Sequence, residues 1–488
     1  MLFAMLLVVA ASMYFFQLGR AGFDDAEAYS AYIASRETLR AVFEASLQLD
    51  PGKGGGLYVA ALHWYSAICG TGEVALRAFS AAFALASVIL VFALGDELFG
   101  PETALIAAVL WAFNPVLLIV ARWARMYSMF IALTLGSLLA MRKLERHPNA
   151  LRVAAVGIVG TAMLYTHLGG ALFLAAEAAL LVHDRWRGRA ILPGCIGLAI
   201  ALVLFAPIAP VSLAQLHSSA LGHRFDWIGS ASGTPLALKI AASGVAFMMG
   251  LILLFGPAMP FDQAAANCAD DSEPMRWCAI WSILPMLALM VGSLVLHPMF
   301  EIRYVVPALA GLAILAAAVF HFAQIRIRNL ATVAIASAFL IGAILFHLYR
   351  PPFDLWRRIA REVEAANSPS QAVFFEAGYV MGVGQATDLN PESLIEVLPE
   401  GYLRIPFDYY FGGRNPQCAI NPFRSTLARE QLARSARRDG GSWLVSHLND
   451  EDLACELTSP DTFDRIRVSY DQSVSVSLYH IVPRDDRR

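Results

Sequence analysis

The chain has 488 residues, 58% of them hydrophobic and 15% charged, with a mean hydropathy of +0.56 and a formal net charge of −3. That composition belongs in a bilayer and excludes an ordinary soluble enzyme. Its arginines sit in short clusters between apolar runs and build no global basic field, which argues against nucleic acid as a partner.

The first apolar run, Met1 to Leu18, has no basic n-region and no convincing cleavage site before Arg20, so it reads as a retained membrane helix rather than a signal peptide. Directly after it stand three carboxylates, Asp24, Asp25 and Glu27. Asp24 as N-cap with Glu27 three positions on is a capping-box start to an amphipathic helix reaching about Leu49. Ionisable residues gathered at the lip of a membrane bundle also mark substrate pathways, so both readings stand at this point. The run Asp50-Pro51-Gly52-Lys53-Gly54-Gly55-Gly56 follows. Its glycines admit either a close backbone approach to a phosphate or a hinge, and it lacks the Lys-Ser/Thr pair of a P-loop.

A helix needs about 20 residues to cross the hydrocarbon core. Eleven candidate spans meet or approach that length, at roughly 1–19, 77–99, 102–121, 126–141, 151–167, 169–183, 190–210, 236–257, 277–297, 303–322 and 330–349. Cytoplasmic loops retain positive charge. Arg142, Lys143, Arg146 and Arg152, then Arg185, Arg187 and Arg189, then Arg276, then Arg326 and Arg328 fill four loops on one side. That side is assigned to the cytoplasm with the N-terminus, which leaves the first loop at 20–76, the loop at 211–235 and everything from 350 onward exoplasmic.

Two outer arginines run against this trend, in Ala121-Arg122-Trp123-Ala124-Arg125-Met126-Tyr127-Ser128. Arginine at a water–lipid boundary can snorkel to headgroups. Alternatively, Arg125 grips a lipid phosphate through its bidentate fork, with the Tyr127 hydroxyl beside it. His167 falls in a tight outer turn, either as a helix-end residue or facing a lipid-phosphate cavity. Glu177, inside the sixth span, is either a packing hydrogen bond or part of that cavity. Glu301 and Arg303 form either a local ion pair or part of a donor site.

The tail at 350–488 changes character. It is polar, with strand-like runs at Ala372–Phe375, Trp443–Ser446 and Val474–Ile481, and reads as a separate exoplasmic α+β domain, distinct from a membrane module at 1–349. The six cysteines show no CxxC and no metal-type spacing with histidines. Cys418 and Cys455 could close a disulfide in an oxidising compartment, worth roughly 3 to 4 kcal/mol in the chain-entropy picture. Cys268 and Cys278 fall on the cytoplasmic side and should stay reduced.

An ordered set of motifs then becomes informative. A short first span, an acidic pair, an amphipathic loop, Leu57-Tyr58 with His63-Trp64, Leu76-Arg77, Leu98-Phe99-Gly100, Asn114-Pro115 and the Ala-Arg-x-Ala-Arg-Met-Tyr run occur in that order. Farther on comes His297-Pro298-Met299-Phe300-Glu301-Ile302-Arg303-Tyr304-Val305-Val306-Pro307, and Pro351-Pro352-x-x-x-Trp356-Arg357 leads into the tail. This order resembles the GT-C superfamily of membrane glycosyltransferases, of the protein O-mannosyltransferase and aminoarabinose transferase type, over roughly residues 1 to 320.

The resemblance implies a GT-C fold: a polytopic α-helical membrane protein of about eleven transmembrane helices with a C-terminal exoplasmic α+β domain. It implies a multi-pass protein of the bacterial inner membrane that transfers a sugar, with inversion, from a polyprenyl-phosphate donor to a glycolipid, envelope glycan or protein acceptor. Asp24 matches the family's base, with Asp25 where glutamate is usual. Arg125 is the first candidate for the leaving phosphate, with Lys53, Glu27, Tyr127, Arg303, Arg122, Tyr304 and His167 behind it. Where many relatives carry His-Pro-Pro or Lys-Pro-Pro before Leu-Tyr, this chain has the glycine run, and Lys53 is offset by one residue. No cofactor is demanded; the first-loop carboxylates could hold a divalent metal, but no ligand spacing requires one. The rival class, a transporter or flippase, predicts repeat symmetry and broken helices at the midplane, and no two halves of the chain look alike.

Overall fold

The structure, a computed structural model, describes residues 1–49, 55–182, 191–212, 272–295, 302–321, 337, 341, 354–366, 368–376, 403–420, 425–446, 463–471 and 476–483. They fall into two compact units. One comprises Met1–Leu18 and Ile33–Pro351, the other Gly19–Tyr32 and Pro352–Arg488.

The first unit is helical. It opens with α1 (Leu2–Phe15); α2 (Asp25–Ala34) begins in the segment that belongs to the second unit. Then come α3 (Leu39–Leu49), α4 (Leu57–Cys69), α5 (Glu73–Phe99), α6 (Pro101–Ala112), α7 (Pro115–Ala121), α8 (Tyr127–Arg146), α9 (Ala150–Thr166), α10 (Gly170–Val182), α11 (Ile191–Phe205), α12 (Ser272–Val295) and α13 (Val306–His321). Helix α5 runs beside α6 and α8, α9 beside α8 and α11, and α13 beside α6 and α12. Among the described residues, Glu73–Phe99 and Glu273–Gly292 are long and apolar enough to cross a hydrocarbon core alone. The expected spans at 236–257 and most of 330–349 lie outside the described residues.

The span expected at 102–121 is two helices, α6 and α7, bent by 62°. The cause is local. A residue before proline is disfavoured in the α region, and Asn114 takes ψ 125° ahead of Pro115. Its side-chain oxygen accepts the Val116 amide at 2.9 Å, the bond that a continuous helix would have sent to Ala112. The stranded carbonyl of Ala112 accepts instead from the hydroxyl of Tyr14, at 2.7 Å and fully buried. A broken helix is tolerable in an apolar bundle when its backbone groups are satisfied in this way.

Small residues bring other helices close. A Cβ on Gly157 would stand 2.5 Å from Ile200, and one on Gly197 would stand 2.8 Å from Val156, so α9 and α11 approach as only glycine permits. Between α5 and α6, Gly100 takes φ +86°, a left-handed turn that Pro101 follows at the first position of α6.

The basic residues at the end of α8 and the start of α9 are tied down. Arg152 donates to the carbonyls of Lys143 and His147, Arg146 pairs with Glu97 at 2.9 Å, and Arg142 with Glu145 and, at 3.7 Å, Glu273. Between α8 and α10, Ser137 donates to the fully buried Glu177 carboxyl at 3.1 Å, a packing contact.

The second unit holds α14 (Leu355–Ala365), α15 (Arg404–Tyr410), α16 (Ser425–Asp439) and five strands. These are β1 (Val373–Glu376), β2 (Gln417–Ile420), β3 (Ser442–Ser446), β4 (Phe463–Asp471) and β5 (Val476–Pro483), ordered β2-β1-β3-β5-β4. β1 runs parallel to β2 and β3; β5 runs antiparallel to β3 and β4.

Period-two alternation sorts the core. Val373 and Phe375 share one face with Leu355, Trp356, Ile359 and Val363 of α14; Ala372 and Phe374 share the other with Leu432 and Ala436 of α16. The apolar stripe of α14 has the helical spacing that such a sheet cover needs. Cys455 lies outside the described residues, so the disulfide expectation does too. Cys278 is a buried free thiol.

Candidate functional site

In the first unit, three chain segments far apart in sequence converge on one cluster, buried at Tyr127 and His167 and half-buried at Trp123, Arg303 and Tyr304. The turn between α7 and α8 supplies Trp123 and Tyr127, and carries Arg125 between them. The turn between α9 and α10 supplies His167, and the 3-10 turn Ile302–Tyr304 ahead of α13 supplies Arg303 and Tyr304. The His167 ring lies 5.8 Å from that of Tyr127, 5.1 Å from Tyr304 and 4.9 Å from Phe130, on which it stacks. The Arg303 guanidinium carbon sits 6.0 Å from the Tyr127 ring and 5.5 Å from the Tyr304 ring, within cation–π range. Trp123 stacks on Tyr127 at 5.2 Å.

The cluster's geometry follows from its backbone bonds. His167 leaves α9 in an extended conformation (φ −157°, ψ 130°), and its Nδ1 accepts the Gly169 amide at 2.9 Å. A side chain at position 169 would collide with that Nδ1 and with the Tyr304 carbonyl, both 2.9 Å from an added Cβ. Glycine therefore lets the α9–α10 turn close on the Tyr304 segment. The other turn is held by a relay: the Tyr58 hydroxyl and Ser80 Oγ meet at 3.1 Å, and Ser80 Oγ donates to the Arg125 carbonyl at 3.3 Å. Arg125 itself is 2% exposed. Positive charge, aromatic faces and hydroxyls drawn together out of bulk water are what an anionic group with an apolar tail requires.

Arg122, expected alongside Arg125, is placed elsewhere. Its Nη1 donates to the carbonyls of Met13, at 3.1 Å, and Phe16, and its Nη2 to that of Gln17, at 3.2 Å. Arg77 adds a bond to the Leu18 carbonyl at 2.7 Å. Two guanidinium groups thus close the C-terminal end of α1, where carbonyls lack helical partners and the dipole favours cations. Lys53 and Glu301 lie outside the described residues.

In the second unit, the acidic segment forms a complete capping box. Asp24 Oδ1 accepts the Glu27 amide at 2.8 Å, and the Glu27 carboxylate accepts the Asp24 amide at 3.3 Å. Asp24 is half-buried, whereas Asp25 and Glu27 are 4% and 3% exposed. The Asp25 carboxylate accepts from the indole Nε1 of Trp356. Burial pushes the Asp25 carboxyl up to about 6, against the opposing pull of that indole bond. The segment has further ties: the Tyr410 hydroxyl accepts the Phe23 amide at 2.6 Å, Phe23 lies 4.9 Å from the Tyr409 ring, and Arg357 reaches the Gly19 carbonyl at 3.4 Å.

Sequence reasoning missed Phe130, Tyr409 and Tyr410, and had Arg77 only as part of the Leu76-Arg77 motif. Trp356 stood out only as part of the lead-in to the tail. Among the described residues no group of three or more His, Cys, Asp or Glu side chains is arranged to hold a metal ion.

The family model of dolichyl-phosphate-mannose-protein mannosyltransferases matches residues 55–210, a stretch that includes Arg125, Tyr127 and His167. No curated protein matches the chain by sequence. The crystal structure of ArnT from Cupriavidus metallidurans bound to undecaprenyl phosphate is similar at TM-score 0.58 and 15% identity, over 98% of this chain and 97% of that one. Its apo state is similar at TM-score 0.59 and 14% identity, with the same coverage. At these identities the likeness is one of fold: the chain has the fold of that membrane glycosyltransferase over nearly its whole length, as the GT-C resemblance led one to expect, and the family model matches within it over residues 55–210.

Proposed function

We propose that this chain is an inverting GT-C glycosyltransferase that moves a sugar from a polyprenyl-phosphate carrier to an acceptor hydroxyl at the exoplasmic face of a bacterial inner membrane. The observation that carries the reading is the convergence of the half-buried Arg303 and Tyr304 with the buried Tyr127 and His167 in one cluster, in a fold that ArnT shares and in which ArnT has been captured with undecaprenyl phosphate. The full complement of eleven spans and the exoplasmic placement of the 350–488 tail belong to the same proposal, and they rest on the apolar runs and the Lys/Arg bias of the loops.

The chemistry follows from charge. An acceptor hydroxyl is a weak nucleophile, so a carboxylate takes its proton as its oxygen bonds to the anomeric carbon. The bond from that carbon to the phosphate oxygen breaks, and polyprenyl phosphate leaves with the electron pair and one additional negative charge. Arg303 and Arg125 offset that charge, with the hydroxyls of Tyr127 and Tyr304 and the His167 ring N–H as hydrogen-bond donors. Single displacement inverts the anomeric configuration.

Asp24 is the base in this reading. Its carboxylate is the least buried of the three, with Oδ1 capping the Glu27 amide, whereas Asp25 and Glu27 are buried and engaged with Trp356 and the Asp24 amide. The prenyl chain stays in the membrane, since each buried CH2 is worth about 0.8 kcal/mol. Glycolipid, envelope glycan and protein are all acceptors of the right chemistry.

Mass spectrometry of lipid-linked sugars and envelope glycoconjugates, from cells with and without the protein, tests the proposal. Loss of the protein should leave one sugar-bearing polyprenyl phosphate in excess and one glycoconjugate missing its sugar. An unchanged profile would instead favour a transporter or scaffold.

A further inference from the structure

The acidic segment is bound to the tail through several contacts that capping alone does not need. Within the second unit, Trp356 of α14 donates to the Asp25 carboxylate, and Tyr410 at the end of α15 accepts the Phe23 amide at 2.6 Å. Arg357 contacts the Gly19 carbonyl at 3.4 Å and lies 5.6 Å from the Tyr410 ring, joining the two helices beneath the segment. Phe23 is fully buried, and the Trp356 side chain belongs to the sheet core with Val373, Phe375 and Trp443. The partner groups lie 331 and 387 residues from the segment in sequence.

We infer that Trp356 and Tyr410 are positioning residues for the transfer reaction: the tail unit is the mould that sets the backbone and orientation of the segment carrying Asp24. The inference rests on the proposed role of Asp24 and adds a second element to it. An N-cap residue has its direction fixed only as well as the first turn of its helix. In this helix the first residue, Asp25, is clamped by an indole rooted in a packed sheet core, and the residue before the cap, Phe23, is clamped through its amide. A loop fixed at one end by α1 alone would leave Asp24 to sample many orientations, and a misplacement of about 1 Å in a catalytic group can cost on the order of a hundredfold in rate. The Trp356–Asp25 bond joins a donor to a carboxylate removed from water, where a single contact holds geometry best, and the part-buried Phe23–Tyr410 bond adds a second fixed point one residue before the cap.

Hydrogen–deuterium exchange on the full-length protein in detergent, comparing wild type with Trp356→Phe and Tyr410→Phe, tests this without knowledge of the acceptor. Tyr410→Phe keeps its ring and removes only the hydroxyl; Trp356→Phe removes the indole N–H and also trims a core ring, so the amides of α14 and β1 are its control for lost packing. Exchange over Gly19–Tyr32 should rise about tenfold or more in each variant, the loss of one such bond, while the amides of α14 and of β1 stay protected.

Transfer activity should fall by a similar factor, in kcat, with the KM for the polyprenyl-phosphate sugar unchanged. The double variant of Trp356→Phe with Asp25→Leu should lose no more than the worse single one, because both remove the same bond. Unchanged exchange over the segment overturns the inference. So does faster exchange with kcat intact, in a protein whose Asp24→Asn variant is inactive. Should Asp24→Asn keep full transfer, the assignment of the base falls, and the exchange result alone decides whether Trp356 and Tyr410 hold the segment.

Discussion

The Gly169 amide donates to Nδ1 of His167 at 2.9 Å, and that single bond determines what the imidazole can do. Nδ1 is the acceptor, so the proton of the neutral ring sits on Nε2, in a ring that lies 5.8 Å from that of Tyr127 and 5.1 Å from that of Tyr304.

Two substitutions separate the nitrogens of His167. In His167→Asn the side-chain oxygen can replace Nδ1 as acceptor for Gly169 while the Nε2 donor is lost. In His167→Gln the amide nitrogen can replace Nε2 while the turn loses its acceptor. The Asn variant should keep its melting temperature within a few degrees and bind undecaprenyl phosphate about tenfold more weakly. The Gln variant should bind more nearly as wild type and melt lower. Thermal denaturation with and without undecaprenyl phosphate reads both.

Asp25 makes a stability prediction with a definite sign. Its folded-state value of about 6 lies above the ordinary 3.8, so the folded protein holds the proton more tightly than the unfolded chain. Any contribution of this group is therefore most favourable below about pH 4 and is lost as pH rises through 6. Asp25→Asn keeps an acceptor for Trp356 and removes the buried charge. It should stabilise the protein at pH 7 to 8, by up to about 3 kcal/mol. It should also flatten the dependence of stability on pH between 4 and 6. Chemical denaturation at a series of pH values is the measurement.

Arg122 and Arg303 should separate cleanly. Arg122→Ala strips partners from the carbonyls of Met13, Phe16 and Gln17 and should destabilise the protein by about 1 to 3 kcal/mol, with undecaprenyl phosphate affinity unchanged. Arg303→Ala should weaken that affinity about tenfold or more at nearly constant stability. Equal loss of affinity in both would refute the division of labour between the two arginines.

Tyr14→Phe tests the helix break. It leaves the Ala112 carbonyl buried without its hydroxyl partner and should cost about 1 to 3 kcal/mol. Thermal denaturation in detergent measures the loss.

What the sequence made legible was local. The Asp24-to-Glu27 spacing is read as a capping box because both partners lie within one turn, and the structure forms both of its bonds. The Arg-Met-Tyr and Arg-Tyr segments stand out because their residue types are unusual beside apolar helices, and Tyr127, Arg303 and Tyr304 do meet. Arg122 looked equivalent to Arg125 for the same reason. Its carbonyl partners are more than 100 residues away, and no pattern in one sequence announces them.

The bend after Ala112 was hidden by the hydropathy of 102–121, which is continuous through Asn114-Pro115. Whether proline there ends a span depends on Tyr14, in another helix. In the tail, β1, β3 and β5 are apolar and visible, while β2 has four residues and β4 carries Asp464, Arg465 and Arg467. Both are edge strands, where short length and charge are the usual protection against mispairing and also what conceals a strand from a hydrophobic search. The bond from Trp356 to Asp25 joins residues 331 positions apart in the chain.

The central claim is that Asp24 drives sugar transfer from a polyprenyl-phosphate donor. It is tested most directly by returning wild type or Asp24→Asn to cells lacking the protein and measuring their envelope glycoconjugates by mass spectrometry, while the purified forms are titrated with undecaprenyl phosphate. The predicted result is restoration by wild type, none by Asp24→Asn, and equal lipid-phosphate affinity for the two. Full restoration by Asp24→Asn would contradict it.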